Sequence, residues 1–161
     1  MLIVAEYGGV MDTYTVSLFG HRRIDDLIIL ERKLEAVVEE LILSKDHIIF
    51  FIGRNGEFDE YAASVIKRTR RKTGKENCEI ILVLPYTVAN IEYYEKYYDD
   101  IIIPETQNRV HPRAAIEVKN RWMIEHSDLV IAYLMRDNGG AYKAVEYARK
   151  LGKKVINAFL E

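Results

Sequence analysis

Three runs of the chain, residues 47–52, 79–84 and 128–134, carry apolar side chains at nearly every position instead of at alternate ones. A strand with one face in water alternates. A strand that is apolar throughout is covered on both faces, which is the situation of a parallel strand with helices above and below it. Each run stops at a turn former: Gly53-Arg54-Asn55-Gly56, Pro85, and Arg136-Asp137-Asn138-Gly139-Gly140. Helical patterns separate the runs. Over residues 25–44, Leu27, Leu30, Leu34, Val37, Val38 and Leu41 recur at spacings of three and four, with Asp25 and Asp26 where a cap and first-turn acids belong. A second helix is expected over 59–73, with Ala62, Ala63, Val65 and Ile66 inward and Gly74 as its stop. Further helices are expected over 88–97, 112–126 and 141–151, the last ended by Gly152, and further strands over 14–19, 100–103 and 154–158. Strands that alternate with helices in this way predict an α/β chain, a Rossmann-like three-layer sandwich on a mainly parallel sheet of about six strands.

A chain of 161 residues suits one domain, with a core over about 14–157 and residues 1–13 as an N-terminal extension. The extension is open to three readings: an edge strand, an interface arm, or a product of start-codon choice. The formal net charge of -2 supplies no global basic field, so nucleic acid is not expected as a partner. The local basic spots, Lys67-Arg68 and Arg70-Arg71-Lys72, read as a solvated helix face. The single cysteine, Cys78, precludes an internal disulfide, suits a reducing compartment and reads as a structural thiol. No apolar run reaches the roughly 18 residues of a membrane span, and the opening residues carry no basic leader. A cytoplasmic protein without a membrane partner is expected.

In open parallel sheets, ligands bind outside the carboxyl ends of the strands, where the strand order reverses. The small and polar residues of this chain collect at those ends: Gly20, His21 and Arg22 after the first strand; Gly53, Asn55 and Gly56 after the second; Pro85 and Tyr86 after the third; Asn138, Gly139 and Gly140 after the fifth. A helix follows each loop, and helix N-termini with free N–H groups favour an anion such as phosphate. Each loop also has a plain reading as turn chemistry, with Gly53 and Gly56 supplying positive φ. Neither the G-x-G-x-x-G dinucleotide fingerprint nor a G-x-x-x-x-G-K-[ST] phosphate loop occurs. The four histidines are scattered, so no metal site is expected, and no G-x-S-x-G elbow marks a hydrolase. No cofactor is implied. The tyrosines at 93, 94, 97 and 98 read as the cover of a short helix, with base stacking as the other possibility.

The blocks Ser17-Leu18-Phe19-Gly20-His21-Arg22 and Ile52-Gly53-Arg54-Asn55-Gly56-Glu57-Phe58-Asp59 resemble the opening motifs of the SLOG superfamily, in the branch around the YpsA-like proteins. Val110-His111-Pro112-Arg113-Ala114-Ala115-Ile116, Asn120-Arg121-Trp122-Met123-Ile124, Ser127-Asp128-Leu129-Val130-Ile131-Ala132 and Gly152-Lys153-Lys154-Val155-Ile156-Asn157 continue the resemblance over nearly the whole chain. It implies a pocket for a nucleotide or nucleotide-derived ligand, a homo-oligomer, and a bacterial or phage setting that includes conflict systems. The related LOG-type phosphoribohydrolases carry P-G-G-x-G-T-x-x-E; the same frame here runs from Asn138 through Gly139, Gly140, Ala141, Tyr142, Lys143, Ala144 and Val145 to Glu146. Asn138, Tyr142 and Lys143 depart from it, and Lys119 stands where close relatives have arginine. Gly20, His21, Arg22, Gly53, Asn55, Gly56, Asp59, Pro85, Tyr86, Arg113, Lys119, Asn120, Asn138, Gly139, Gly140 and Tyr142 are the candidate ligand contacts. Asp59 and Glu146 are the candidate catalytic acids, with helix capping as the other role for Asp59 and a surface position as the other for Glu146. The incomplete motif favours a sensor or sequestering protein. An N-glycosidic-bond enzyme, a phosphoribohydrolase or deoxyribosyltransferase-like protein, is the alternative, and an interaction module with a vestigial pocket is the third reading.

Overall fold

The computed structural model describes residues 12–160. Six strands and five α-helices follow one another: β1 (Thr13–Gly20), α1 (Leu27–Ser44), β2 (His47–Ile52), α2 (Glu57–Thr73), β3 (Cys78–Val83), α3 (Ile91–Tyr97), β4 (Asp100–Ile102), α4 (Ala115–Glu125), β5 (Leu129–Tyr133), α5 (Gly140–Lys150) and β6 (Lys154–Asn157). The sheet order is β4-β3-β2-β1-β5-β6, and every pairing is parallel. The expected three-layer α/β sandwich with six strands is the observed architecture.

Alternation along each strand divides two cores. Val16, Leu18, Ile48, Phe50, Ile52, Ile80, Leu82 and Ile131 face α1 and α2, whose Leu30, Leu34, Val38, Ala62 and Ile66 complete the first core. Phe19, Ile49, Phe51, Ile81, Val83, Val130 and Ala132 face α4 and α5 and form the second core with Met123, Ile124, Val145 and Ala148. Ser17 points into the second layer, where its hydroxyl lies 3.1 Å from the Met123 carbonyl and 2.6 Å from Ser127 Oγ. A buried hydroxyl left unpaired would cost about 1–3 kcal/mol, so this pair fixes how α4 docks on β1.

Helix boundaries follow local chemistry. Asp26 caps α1, its carboxylate accepting from the Ile29 N–H at 3.1 Å. Gly74 ends α2 in the left-handed region at φ 67°. Pro112 heads a 3-10 turn (Pro112–Ala114) and not the α-helix expected from it; His111 Nδ1 accepts the Arg113 N–H, and α4 starts at Ala115. Thr13 belongs to β1, so the extension expected over 1–13 reaches the sheet at its end; residues 1–11 lie outside those described.

The basic face of α2 is not simply solvated. Arg68 lies against Glu31 and Glu35 of α1, Lys72 against Glu35 and Glu39, and Arg70 pairs with Asp99 at 2.7 Å. Lys67 Nζ sits 3.5 Å from the centre of the Tyr97 ring, and Tyr98 is buried, so part of the tyrosine group packs on the fold. Cys78 is buried, and burial pushes its thiol up to about 11. None of the described helices is long and apolar enough to cross a membrane.

Candidate functional site

The strand order reverses at β1: β2 lies on one side and β5 on the other. The loops after these three strands therefore diverge from a common point, and a cavity of about 380 Å³ opens there. The β1 loop contributes Gly20, His21 and Arg22, the β2 loop Gly53, Asn55 and Asp59, and the β5 loop Arg136, Asn138, Gly139 and Gly140; Ile116, Lys119 and Asn120 of α4 close the fourth side.

The loops are braced on one another. The Glu57 N–H donates to the Arg22 carbonyl at 2.9 Å, and the Ile24 N–H donates to Glu57 Oε2 at 2.8 Å. These bonds tie the β1 loop to the start of α2. The glycines at this seam are there for packing. A Cβ on Gly20 would stand 2.1 Å from Phe58 Cγ, and one on Gly56 would stand 2.5 Å from Arg22 Cα. Gly53 and Gly56 were expected to supply positive φ, but positive φ among the described residues occurs at Gly74, Gly139 and Gly152. Gly56 is extended, at φ 171°.

His21 bridges the β1 and β5 loops. The Met135 N–H donates to His21 Nε2 at 3.2 Å. An amide only donates, so the ring is neutral here and carries its proton on Nδ1. Burial, reinforced by the charge of Arg136, holds its pKa below the ordinary histidine value.

Asp59 and Lys119 form the buried electrostatic centre. Asp59 is 8% exposed and Lys119 1%. Asp59 is not the N-cap of α2, which is Gly56. From the first turn its Oδ2 reaches back to accept the Asn55 N–H at 2.7 Å, fixing the second loop. Burial raises the Asp59 pKa against the opposing charge of Lys119. Burial likewise lowers Lys119 to about 8, against the pull of Asp59. In both groups desolvation exceeds the mutual attraction, as expected when two charges leave water without direct contact. No hydrogen bond to Lys119 Nζ exists among the described residues, and Gly53 leaves it space: a Cβ there would lie 2.6 Å from Nζ. Beside it Asn120, 7% exposed, keeps a buried Oδ1 without a hydrogen-bond partner.

The third wall is the N-terminus of α5. Its cap, Gly139, has φ 91°, and no side chain caps the helix. The first-turn N–H groups have no intrahelical acceptor. A Cβ on Gly140 would meet nothing within 4 Å, so backbone there is open to close approach. Free N–H donors at a helix start, a buried ammonium and an Nδ1–H together suit an anionic ligand.

Not all of the expected residues converge. Pro85 is buried and Tyr86 exposed, and neither lines the cavity, because β3 lies two strands from β1. Gly56 supports the wall from behind. Arg113, Tyr142 and Glu146 line an adjacent cleft instead, and Glu146 is held by Arg149 at 2.7 Å. Arg136 was missed. Its place as the first polar residue after the third apolar run was the available signal.

No protein-family model and no curated protein matches the chain. Solved structures do. DNA processing protein A (DprA) from Streptococcus pneumoniae superposes with a TM-score of 0.64 at 15% identity, over 89% of this chain and 49% of that one. DprA from Helicobacter pylori gives 0.60 at 16% identity, over 88% and 63%. The Moco carrier protein from Chlamydomonas reinhardtii gives 0.55 at 15%, over 92% and 77%. The chain thus spans about half the length of the Streptococcus protein. These likenesses place the fold in the Rossmann-like α/β class. They also correct the expectation that nucleic acid is not a partner: the Helicobacter protein is described by a single-stranded DNA binding mode. Net charge averages over the whole surface, whereas a nucleic-acid contact depends on the local charge of one face.

Proposed function

We propose that the chain binds a nucleotide or nucleotide-derived ligand in the cavity between the β1, β2 and β5 loops, as a sensor or sequestering protein and not as a hydrolase. The observation that carries this reading is Lys119: an ammonium 1% exposed, lining the cavity, without a hydrogen-bond partner among the described residues. A buried cation without a direct partner is expensive, and a phosphate seated between it and the α5 N-terminus would relieve that cost. The orphan Asn120 Oδ1 would accept from a ribose hydroxyl or a base amine. Glu146, the acid that ends the phosphoribohydrolase-like frame, lies outside the cavity in an ion pair. Asp59 is occupied by the Asn55 N–H. Glu146 is thus out of reach of a ligand in the cavity, and the Asp59 carboxylate, which does line it, uses Oδ2 to hold the second loop. The resemblance to the YpsA-like branch of the SLOG superfamily supports the ligand class, as do fold neighbours described as a molybdenum cofactor carrier and as a single-stranded DNA binder. A cytoplasmic, single-domain protein belongs to the same proposal.

Thermal shift with a panel of nucleoside monophosphates and ADP-ribose, with products followed by chromatography, tests it. Stabilisation without turnover, reduced at least tenfold in affinity by Lys119→Met, is the expected result. Release of free base that Asp59→Asn abolishes would overturn the binding-only reading. If no probe raises the melting temperature, and mass spectrometry of denatured protein finds no small molecule, the cavity is not a nucleotide site.

A further inference from the structure

Beside the cavity a second cleft of about 440 Å³ runs between α4 and α5. The two share Arg22, Ile116, Asn120 and Gly140 as lining, so they are continuous at the α5 N-terminus. The charge of the cleft is one-sided. Among its acids, Glu117 is paired with Arg121 at 2.8 Å, and Glu146 with Arg149 outside the cleft at 2.7 Å. Among its cations, Arg22, Arg113, Lys143 and Lys150 have no acidic side chain within ion-pair distance among the described residues. Lys143 lies in the first turn of α5 beside its open N-terminus, Lys150 ends the same helix, and like charges lining one cleft repel one another in the absence of an anion. Lys143 is also one of the departures from the P-G-G-x-G-T-x-x-E frame, a cation where that pattern has threonine. The junction carries the unpartnered, buried Asn120 Oδ1, which a ligand passing from one space to the other would meet.

The geometry points to a ligand longer than one nucleotide unit: a nucleotide whose first phosphate sits at the cavity and whose second phosphate lies in the α4–α5 cleft. This inference rests on the cavity reading above and narrows it to ligands with two or more phosphates joined to a nucleoside. The second phosphate comes from a pyrophosphate or from the next phosphodiester of a single strand. Lys143 and Lys150 are both exposed on α5, seven residues and therefore about 10 Å apart along the helix. They present a track along which successive phosphates make charge-assisted contacts.

Isothermal titration calorimetry at low salt, with ribonucleoside monophosphates, diphosphates and 5′-phosphorylated dinucleotides, separates the possibilities. The wild-type protein should bind at least one two-phosphate series tenfold or more tighter than the monophosphate with the same base. Gain with the diphosphate identifies a pyrophosphate, and gain with the dinucleotide identifies a strand. Lys143→Ala combined with Lys150→Ala, both at exposed positions, should abolish the gain while monophosphate affinity stays within twofold. Equal affinity for one and two phosphates would overturn the inference and leave the cavity reading standing, as would a gain that the double variant keeps. Absence of binding by every probe would remove both.

Discussion

Two glycines of the site have opposite reasons to be glycine, and the difference is measurable. Gly20 is filled from outside by the Phe58 ring, 2.1 Å from where its Cβ would stand. Gly20→Ala forces that ring and its stacking partner Tyr133 to move, an overpacking cost of about 1–3 kcal/mol. Gly140 has open space on its Cβ side. Gly140→Ala should leave thermal stability unchanged or slightly raised, while a Cβ against the approaching phosphate weakens ligand binding. Differential scanning fluorimetry with and without nucleotide checks both; equal loss of stability in the two variants would refute the assignment. Lys119 makes a second prediction. Its folded pKa of about 8 lies below the ordinary lysine value of 10.5, so between these pH values the unfolded chain binds the proton more strongly than the folded one. Stability contributed by this group is therefore full above pH 10.5 and is lost as pH falls through 8. The shift corresponds to about 3 kcal/mol at ~1.4 kcal/mol per unit. Tyr98 and Cys78, raised by burial, act in the opposite sense in the alkaline range. The check is thus the difference between wild type and Lys119→Met in denaturant titrations from pH 7 to 10.5. Wild type should gain on the variant as pH rises; a difference that does not change with pH would show that Lys119 is not buried as a strained cation.

Elements were legible where a single local signal sets them. The β2 run is apolar at every position after His47, and its bounds match those expected; Gly74 and Gly152 stop their helices with positive φ. Asp26 as cap of α1 is also a local signal. Asp26→Ala should cost about 1 kcal/mol, a fall of about 2–4 °C in melting temperature for a chain of this size, whereas Asp25→Ala, which makes no capping bond among the described residues, should not. Boundaries decided by tertiary contacts were not legible. Pro112 fits the first turn of an α-helix, yet the His111 ring takes the Arg113 N–H and makes a 3-10 turn first. The site divides in the same way. His21, Gly53, Lys119, Asn120 and the Gly139-Gly140 pair meet in the cavity because each lies at a loop or helix face that the α/β pattern alone brings to the switch point. What could not be read was which cation meets which acid. Asp59 and Lys119 are sixty residues apart on opposite layers, and no spacing rule couples them. The α2 basic face likewise looked solvated, because its partners Glu31, Glu35 and Glu39 lie on another helix.

At the scale of the molecule, strand order decides which loops can touch one ligand. With β1 between β2 and β5, three loops lie within one strand spacing of the centre, about 4.8 Å on either side. The β3 loop lies two spacings from β1 and three from β5. Its Pro85 and Tyr86, polar-edge residues by sequence position, therefore sit beyond reach of a ligand held at the cavity. The basic residues of α2 are remote in a second sense: Arg68, Arg70 and Lys72 are matched by acids, so they offer little net field even where they are exposed. Hydrogen exchange read by mass spectrometry, with and without a bound nucleotide, should show this asymmetry. Protection is expected in three segments: residues 20–24, residues 53–59, and residues 136–142 with the first turn of α5. The 85–90 segment and the last turn of α2 should exchange at unchanged rates. Backbone amides at the α5 N-terminus should respond most, since Gly140 and Ala141 line the cavity and their N–H groups have no hydrogen bond among the described residues, while the Asn55 and Glu57 amides are already bonded to Asp59 and Arg22. Protection centred on 85–90 instead would move the binding face to the β3–β4 edge. It would also make the exposed Tyr86 and Tyr93, and not the switch-point loops, the surface that the ligand covers.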